Sequence, residues 1–181
     1  MVKVNIFRLF VTVIQIFCLY GCVSVPKGLE PVTGIDKQRY LGRWYEIARL
    51  NHRFERDLEA VTATYTLRDD GRIGVVNRGF NIEDQEWETV SASAAFLDDP
   101  TVGRLKVRFF GIFYGGYNII ELDKDNYQYV MVCGDNRNVL WILARTPTLN
   151  KNTQAMLVDK ARAMGFAVDE LIWVDQARNI N

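Results

Sequence analysis

The sequence of 181 residues has very little histidine or cysteine and no excess of either charge. Its single histidine, His52, excludes any site that needs several imidazole ligands. The three cysteines form no close pair, which argues against a disulfide scaffold and against a thiolate zinc site. Basic and acidic residues number 22 each with no basic run, so the electrostatic signature of nucleic-acid binding is missing. We therefore expect no metal, no cofactor and no nucleic-acid partner.

Residues 1–21 have the pattern of a cleaved export signal. A basic start is followed by an apolar stretch that is too short for a membrane-spanning helix, which needs about 20 apolar residues. The stretch ends in Gly21-Cys22, which resembles the lipobox of bacterial lipoproteins. The resemblance implies acylation of Cys22 and, because Val23 rather than aspartate follows, an anchor in the outer membrane. A plain secretory signal or an N-terminal helix of the domain is the alternative.

The rest of the chain is divided by its composition into a linker, one domain and a tail. Residues 22–35 hold two prolines and two glycines without periodicity, which predicts a lipid-anchored tether with a reach of some ~40 Å. The hydrophobic fraction of 49% and the charged fraction of 24% are typical of a globular domain. We expect this domain at 36–177 and a tail at 178–181.

The domain is predicted to consist mainly of short strands. Residues 61–67 alternate apolar and hydroxyl side chains, and Gly71 then belongs to a hairpin loop of two or three residues. Besides a strand around Trp44, further strands are expected near 72–80, 87–97, 103–110, 117–123, 127–134 and 138–145. Such a series predicts an all-β fold, either a closed up-and-down barrel or a sandwich.

One helix is predicted, and it belongs on the outside of the sheet. Asn150 is a suitable N-cap, Gly165 is a stop signal, and the residues between them carry one apolar stripe. The strands near 127–134 and 138–145 are apolar on both faces, so an element must cover their outer face. We place the helix there, and a last strand at 168–174.

Two single residues invite catalytic interpretations that the sequence does not favour. His52 lies in the loop after the first strand, where we expect a solvated side chain. Cys133 has the outward alternation of its strand, which predicts a buried structural thiol under the helix rather than a nucleophile. We therefore assign no catalytic residue.

Five residues carry motifs that resemble those of the lipocalin family: Gly42, Trp44, Asp123, Tyr127 and Arg145. The first two open the first strand, the next two lie between the sixth and seventh strands, and the last ends the eighth strand. The resemblance implies an eight-stranded antiparallel up-and-down barrel, open at one end, with a C-terminal α-helix outside. It also implies that Trp44 plugs the closed end with Arg145 stacked on it, so that these residues hold the fold and touch no ligand.

Three longer segments are similar to the bacterial outer-membrane lipocalins, to which apolipoprotein D is an animal relative: residues 52–56, 109–117 and 140–147. This resemblance implies a fatty acid or lysophospholipid as ligand, and storage, transport or repair of envelope lipids as function. It implies a lipid-anchored domain that faces the periplasm, and it is compatible with a homodimer. A structural lipoprotein with a filled barrel and a lipid-modifying enzyme are the alternatives.

Strand alternation assigns the residues that we expect to line the ligand site. They mix small and large side chains, which indicates space inside the barrel: Ala63, Tyr65, Val75, Asn77, Ala92, Val107, Phe109, Tyr117, Ile119, Val139, Trp141 and Leu143. A polar amide in such a site needs a partner, so Asn77 is expected to meet Tyr65, water or a ligand head group. Residues expected to ring the mouth are Arg53, Phe54, Arg56, Phe113 and Tyr114.

Overall fold

The computed structural model describes residues 23–52, 55–109 and 114–180. Within these residues nine strands are formed: β1 (Gly42–Arg49), β2 (Leu58–Leu67), β3 (Ile73–Asn81), β4 (Glu86–Phe96), β5 (Arg104–Arg108), β6 (Tyr114–Leu122), β7 (Tyr129–Cys133), β8 (Leu140–Ala144) and β9 (Ile172–Trp173). Consecutive strands from β1 to β8 pair in antiparallel fashion, and β1 also pairs with β8. This pairing closes the sheet, which confirms the barrel and excludes the sandwich.

The β2–β3 hairpin shows how a turn sets the register of the wall. The backbone N–H of Arg68 donates to the carbonyl of Arg72, and Gly71 has φ +78°, so the loop is the three-residue form. Tyr65 consequently pairs with Val75, and both side chains belong to the core inside the barrel.

A second core lies between the outer wall and the C-terminal helix α2 (Lys151–Ala163). The helix begins at Asn150, whose side chain accepts a hydrogen bond from Thr153 N at 2.8 Å, and Gly165 follows its end with φ +83°. Leu157 and Ala161 are completely buried against the outward residues of β7, including Cys133. The helix therefore covers the outer face that the sequence leaves apolar.

The last predicted strand is shorter than expected. Residues Val168–Glu170 form a 3₁₀ turn, and only the two residues of β9 pair with the end of β1.

The short helix α1 (Lys37–Tyr40) precedes β1 and is capped by Asp36, whose side chain accepts from Gln38 N at 2.9 Å. In the described parts of the chain, no helix is both long and apolar enough to cross a membrane.

The segment at 23–35 lies against the barrel, which corrects the prediction of a free tether. Ser24 N donates to Asp135 Oδ1 at 2.8 Å, and Val32 N donates to the carbonyl of Ile119 at 2.8 Å. The buried amide of Asn118 donates to the carbonyl of Ser24 at 3.0 Å. Composition could not reveal this, because the segment is held by polar partners far away in the sequence. The predicted signal at 1–21 and Cys22 lie outside the described residues.

The C-terminal segment completes the wall where β1 and β2 separate. The two strands pair only through residues 42–45 of β1. Beyond this point Gln176 Nε2 donates to the carbonyls of Glu46 at 2.7 Å and Val61 at 3.0 Å. Asn179 Nδ2 donates to the carbonyl of Ala60 at 2.7 Å, so part of the predicted tail also belongs to the fold.

Candidate functional site

The closed end of the barrel is built from a stacked tryptophan and arginine. Trp44 is fully buried, and its Nε1 donates to the carbonyl of Tyr40 at 2.9 Å. The guanidinium carbon of Arg145 lies 3.8 Å from the centre of the Trp44 ring, and its Nη1 donates to the carbonyl of Arg43 at 2.9 Å. Gly42 has φ +96°, and a Cβ on it would lie 3.3 Å from Arg145 Nη1. The backbone and the close approach both require glycine there.

The turn between β6 and β7 supports the same end of the barrel. The carboxylate of Asp123 accepts hydrogen bonds from the backbone N–H groups of Asn126 and Gln128, both at 3.2 Å. The turn places Tyr127 so that its hydroxyl accepts from Asp36 N at 2.8 Å, which fixes the start of α1 under the barrel. These motif residues are therefore engaged in holding the floor.

The residues predicted to face inward fall into two groups by burial. Five are buried in the interior core: Tyr65, Val75, Val107, Ile119 and Leu143. Another five are only half-buried, although they share the inward alternation: Ala63, Asn77, Ala92, Tyr117 and Trp141. The second group therefore packs against the interior core but keeps some contact with solvent, whereas the first group forms the closely packed part of the interior.

Two predicted lining residues lie away from this group. Phe109 follows the end of β5 and is 40% exposed. Val139 is half-buried in the turn before β8, where it packs against Gly134. Both belong to strand ends rather than to the interior core.

The predicted mouth residues are only partly described. Arg53, Phe54 and Phe113 lie outside the described residues. Arg56 is exposed. Tyr114 pairs with Arg108 on the outward alternation, and the ammonium of Lys106 lies 3.9 Å from its ring centre. Because β6 begins three residues earlier than the predicted 117, Tyr114 belongs to the outer wall rather than to the ring of the mouth.

Three tyrosine hydroxyls meet near the floor of the barrel. Tyr117 Oη lies 2.6 Å from Tyr40 Oη and 2.9 Å from Tyr65 Oη. Burial raises the pKa of all three phenols above the usual value. They remain neutral at physiological pH and can each donate one hydrogen bond.

A charged network lies between β1, β8 and the segment after β1. Glu46 Oε1 lies 2.8 Å from Arg49 Nη1, and Arg49 Nη2 donates to the carbonyl of Leu58 at 3.1 Å. Glu55 Oε2 lies 3.1 Å from His52 Nε2 and accepts from Trp141 Nε1 at 3.0 Å. Glu46 and Arg49 are each less than 3% exposed, so the charges are removed from water and satisfy one another.

The two carboxyl groups of this network have pKa values displaced in opposite directions. Burial, and then the charge of Glu55, raises the pKa of Glu46 well above the usual value, although Arg49 acts the other way. Burial also acts to raise the pKa of Glu55, but the hydrogen bond and charge of His52, the Trp141 indole and Arg49 outweigh it and lower that pKa. The network thus displaces the pKa values of its two carboxyl groups away from each other.

The structure corrects the prediction of a solvated His52. The exposed fraction of its side chain is 7%, and its ring lies edge-on to Trp141 with 5.1 Å between the ring centres. The imidazole is buried because it contacts both the carboxylate of Glu55 and the ring of Trp141. Sequence position alone shows only that it lies in a loop.

Metal and thiol chemistry find no support in the arrangement. Among the described residues no group of three or more histidine, cysteine, aspartate or glutamate side chains is placed to hold a metal ion. Cys133 is buried under α2, and burial raises the pKa of its thiol to about 12. A protonated thiol of this kind is a poor nucleophile.

Comparison with known proteins shows the family. The family model described as a lipocalin-like domain matches residues 35–176. This chain belongs to the lipocalin family. The lipocalin is 50% identical over 162 residues to the outer membrane lipoprotein Blc of Citrobacter freundii, a match that covers 88% of this chain and 91% of the relative. It is 45% identical over 158 residues to the Blc protein of Vibrio cholerae, covering 87% of this chain and 92% of the relative.

A solved structure supports the same fold. The lipocalin superposes on the allergen Per a 4 from cockroaches with a TM-score of 0.68 and 22% identity, covering 87% of this chain and 98% of that chain. The bacterial relatives identify this lipocalin as an outer-membrane lipoprotein of a Gram-negative bacterium.

Two residues of the lipocalin's interior were missed by sequence reasoning. Glu46 lies two positions after Trp44, so strict alternation could have placed it inside. Arg49 has the opposite alternation and faces inward only because the β1–β8 register shifts between Glu46 and Ala48. No feature of the sequence predicts this register shift.

Proposed function

We propose that this lipocalin binds a fatty acid or a lysophospholipid in its barrel, for storage, transport or repair of envelope lipids. The observation that carries the proposal is the group of inward-facing residues that stay half-buried, among them Ala63, Ala92 and Trp141. In this proposal these residues line a hollow inside the barrel, and an acyl tail that enters it leaves water without any covalent step. At ~25 cal/mol per Å² of buried apolar surface, a long tail supplies micromolar affinity or better.

A polar group is available to the ligand in the same hollow. Asn77 is half-buried on the inner face of β3, and within the described residues its side-chain amide has no hydrogen-bond partner. An amide in an apolar site gains from a polar partner, which a ligand oxygen supplies. We include Asn77 in the binding site for this reason.

We also propose that Cys22 carries the acyl chains of the anchor and that the domain faces the periplasm. The next residue, Val23, lies on the outer wall, where Arg104 Nη2 donates to its carbonyl at 3.0 Å. A lipid on Cys22 would therefore emerge beside β5 and β6. This arrangement supports a barrel that stays close to the bilayer surface, from which a lipid has only a short distance to travel.

Two measurements test the binding proposal. Mass spectrometry of an organic extract of the purified protein is expected to find a co-purified fatty acid or lysophospholipid. Titration with these lipids is expected to change the tryptophan emission, and Trp141→Ala should weaken affinity roughly tenfold, about 1.4 kcal/mol. Trp173→Ala is the matched control, because Trp173 is 49% exposed on the short outer strand β9.

A lipid-free extract together with a silent titration would contradict the proposal and would favour a structural lipoprotein with a filled barrel. Turnover of the added lipid during the titration would instead indicate a lipid-modifying enzyme. Equal losses of affinity in the Trp141 and Trp173 variants would remove Trp141 from the site.

A further inference from the structure

The tyrosine chain at the barrel floor leaves one hydroxyl proton without an acceptor. Tyr40, Tyr65 and Tyr117 carry three hydroxyl protons, and the two contacts among them use two. Within the described residues these hydroxyls make no further hydrogen bond. Among the described residues, the third O–H group therefore has no acceptor in the wall.

The exposure of the three residues favours Tyr117 as the one that holds this proton. Tyr40 is 1% exposed and Tyr65 is 5% exposed, so an unused donor on either would be buried without a partner, which is costly. Tyr117 is half-buried and lies between the other two. The arrangement of lowest cost has Tyr40 and Tyr65 donating to Tyr117, whose own proton is then free for a group in the hollow.

The geometry holds this donor in place before any ligand arrives. The Tyr40 ring packs on Trp44 with 5.3 Å between ring centres, and the Tyr65 ring packs on Tyr40 at 5.6 Å. Two hydrogen bonds then fix the position of the Tyr117 oxygen. A donor that is already oriented loses little freedom on binding, which favours affinity.

The burial of the chain selects the kind of acceptor. Tyr40 and Tyr65 are each no more than 5% exposed, so an ionised carboxylate brought to them would lose its hydration for a single hydrogen bond, which is costly. An uncharged oxygen has less hydration to lose. A bare hydrocarbon end would leave the donor unsatisfied.

We propose that Tyr117 donates a hydrogen bond to an uncharged carbonyl or hydroxyl oxygen at the end of the ligand that reaches the floor. This inference rests on the proposed function and refines it. The preferred guest is an apolar chain that enters with a neutral oxygen first, such as a protonated fatty acid, rather than one that enters by its terminal methyl group.

Matched neutral probes test this assignment. 2-Heptadecanone and heptadecane have chains of equal length and differ in one carbonyl, and both can be delivered from cyclodextrin to the full-length protein. We measure the ratio of their dissociation constants in wild type and in Tyr117→Phe. In Tyr117→Phe the affinity for the ketone is expected to fall about tenfold, while the affinity for heptadecane stays the same.

Two further variants separate this role from a general effect on the fold. Tyr65→Phe removes a donor to Tyr117 but leaves the Tyr117 proton, so the ketone preference should persist. Tyr129→Phe, half-buried on the side of β7 that faces the outer core, should also leave it unchanged. An unchanged ratio in Tyr117→Phe, or an equal shift in Tyr65→Phe, would overturn the inference.

The failure of the inference is distinguishable from failure of the proposed function. If the wild type binds heptadecane and a fatty acid but the ratio is insensitive to Tyr117, the barrel binds lipids and the free proton is satisfied by water. If the wild type binds none of these molecules, the proposed function itself is wrong.

Discussion

The guanidinium carbon of Arg145 lies 3.8 Å from the centre of the Trp44 indole ring. Arg145 also donates hydrogen bonds to the carbonyls of Arg43 and Tyr127 at 2.9 Å and 3.3 Å. One side chain thereby joins the start of β1, the end of β8 and the turn before β7. The stability of the closed end of the barrel is therefore expected to depend on this side chain.

Replacement of Arg145 by alanine should lower the free energy of unfolding by about 3 kcal/mol. Loss of a desolvated cation–π contact costs up to ~2 kcal/mol, and each lost hydrogen bond costs ~1 kcal/mol. Urea denaturation measures the effect, and lipid affinity should persist because the stack lies beneath the floor. Lys106→Ala, which removes a cation over the exposed Tyr114 ring, should cost less than about 1 kcal/mol. An Arg145→Ala variant that unfolds like the wild type would refute the stacking role.

Gly42→Ala and Gly71→Ala form a matched pair of substitutions at positive φ. Both place a Cβ on a left-handed backbone, but only at Gly42 does that Cβ meet Arg145 Nη1 at 3.3 Å, while at Gly71 nothing lies within 4 Å. We expect roughly 1 kcal/mol of destabilisation for Gly71→Ala and 2–3 kcal/mol for Gly42→Ala. Denaturation midpoints measure the difference, and equal losses would show that Arg145 yields freely to the methyl group.

The two buried carboxyl groups should give opposite pH dependences. The pKa of Glu55 is lowered in the folded state, so its stabilisation is present above the ordinary value of about 4.3 and is lost as the pH falls through the folded pKa. The pKa of Glu46 is raised, so its stabilisation is present below about 4.3 and is lost as the pH rises through the folded pKa.

Unfolding free energies between pH 3 and pH 7 test these signs with two isosteric variants. The difference in unfolding free energy between the wild type and Glu55→Gln should become smaller as the pH falls. The free energy of unfolding of Glu46→Gln should rise relative to that of the wild type as the pH rises towards neutrality. Parallel curves for the two variants would show that the two carboxyl groups have similar pKa values in the folded protein.

Cys22→Ala should abolish incorporation of labelled palmitate into the expressed protein. Acyl chains on the mature N-terminal cysteine are what the lipobox resemblance implies, and two or more chains anchor a protein stably. Cys18→Ala is the natural control, because Cys18 lies in the predicted signal at 1–21 and would be removed with it. A wild type that is unlabelled and released from membranes would end the proposal of an acyl anchor.

Local chemistry explains why much of the fold could be predicted from the sequence. The loop at Gly71, the N-cap Asn150 and the stop at Gly165 act on their immediate neighbours, and each is visible as a residue type in a pattern. Alternation over β7 and β8 likewise indicated both the inner face and the surface covered by α2. These signals need no knowledge of distant residues.

The parts that sequence reasoning missed are set by distant partners or by irregular register. Arg49 faces inward only because β1 shifts its pairing with β8, and His52 is buried because Trp141 and Glu55 receive it. The segment at 23–35 packs on the wall through Asp135 and Ile119, about which its own composition says nothing. The Tyr40–Tyr117–Tyr65 chain joins three separate elements and depends on the complete barrel.

The amide of Gln176 bridges β1 and β2 by donating to the carbonyls of Glu46 and Val61, which lie 130 and 115 positions away from it in the sequence. Loops of that length are entropically costly to close before their contacts form, which favours docking of the C-terminal segment late in folding. Until that stage, the diverging ends of β1 and β2 carry unpaired backbone groups, which are the usual template for association between unfinished chains. Slow docking of Gln176 would therefore prolong the time during which this open edge can pair with other chains.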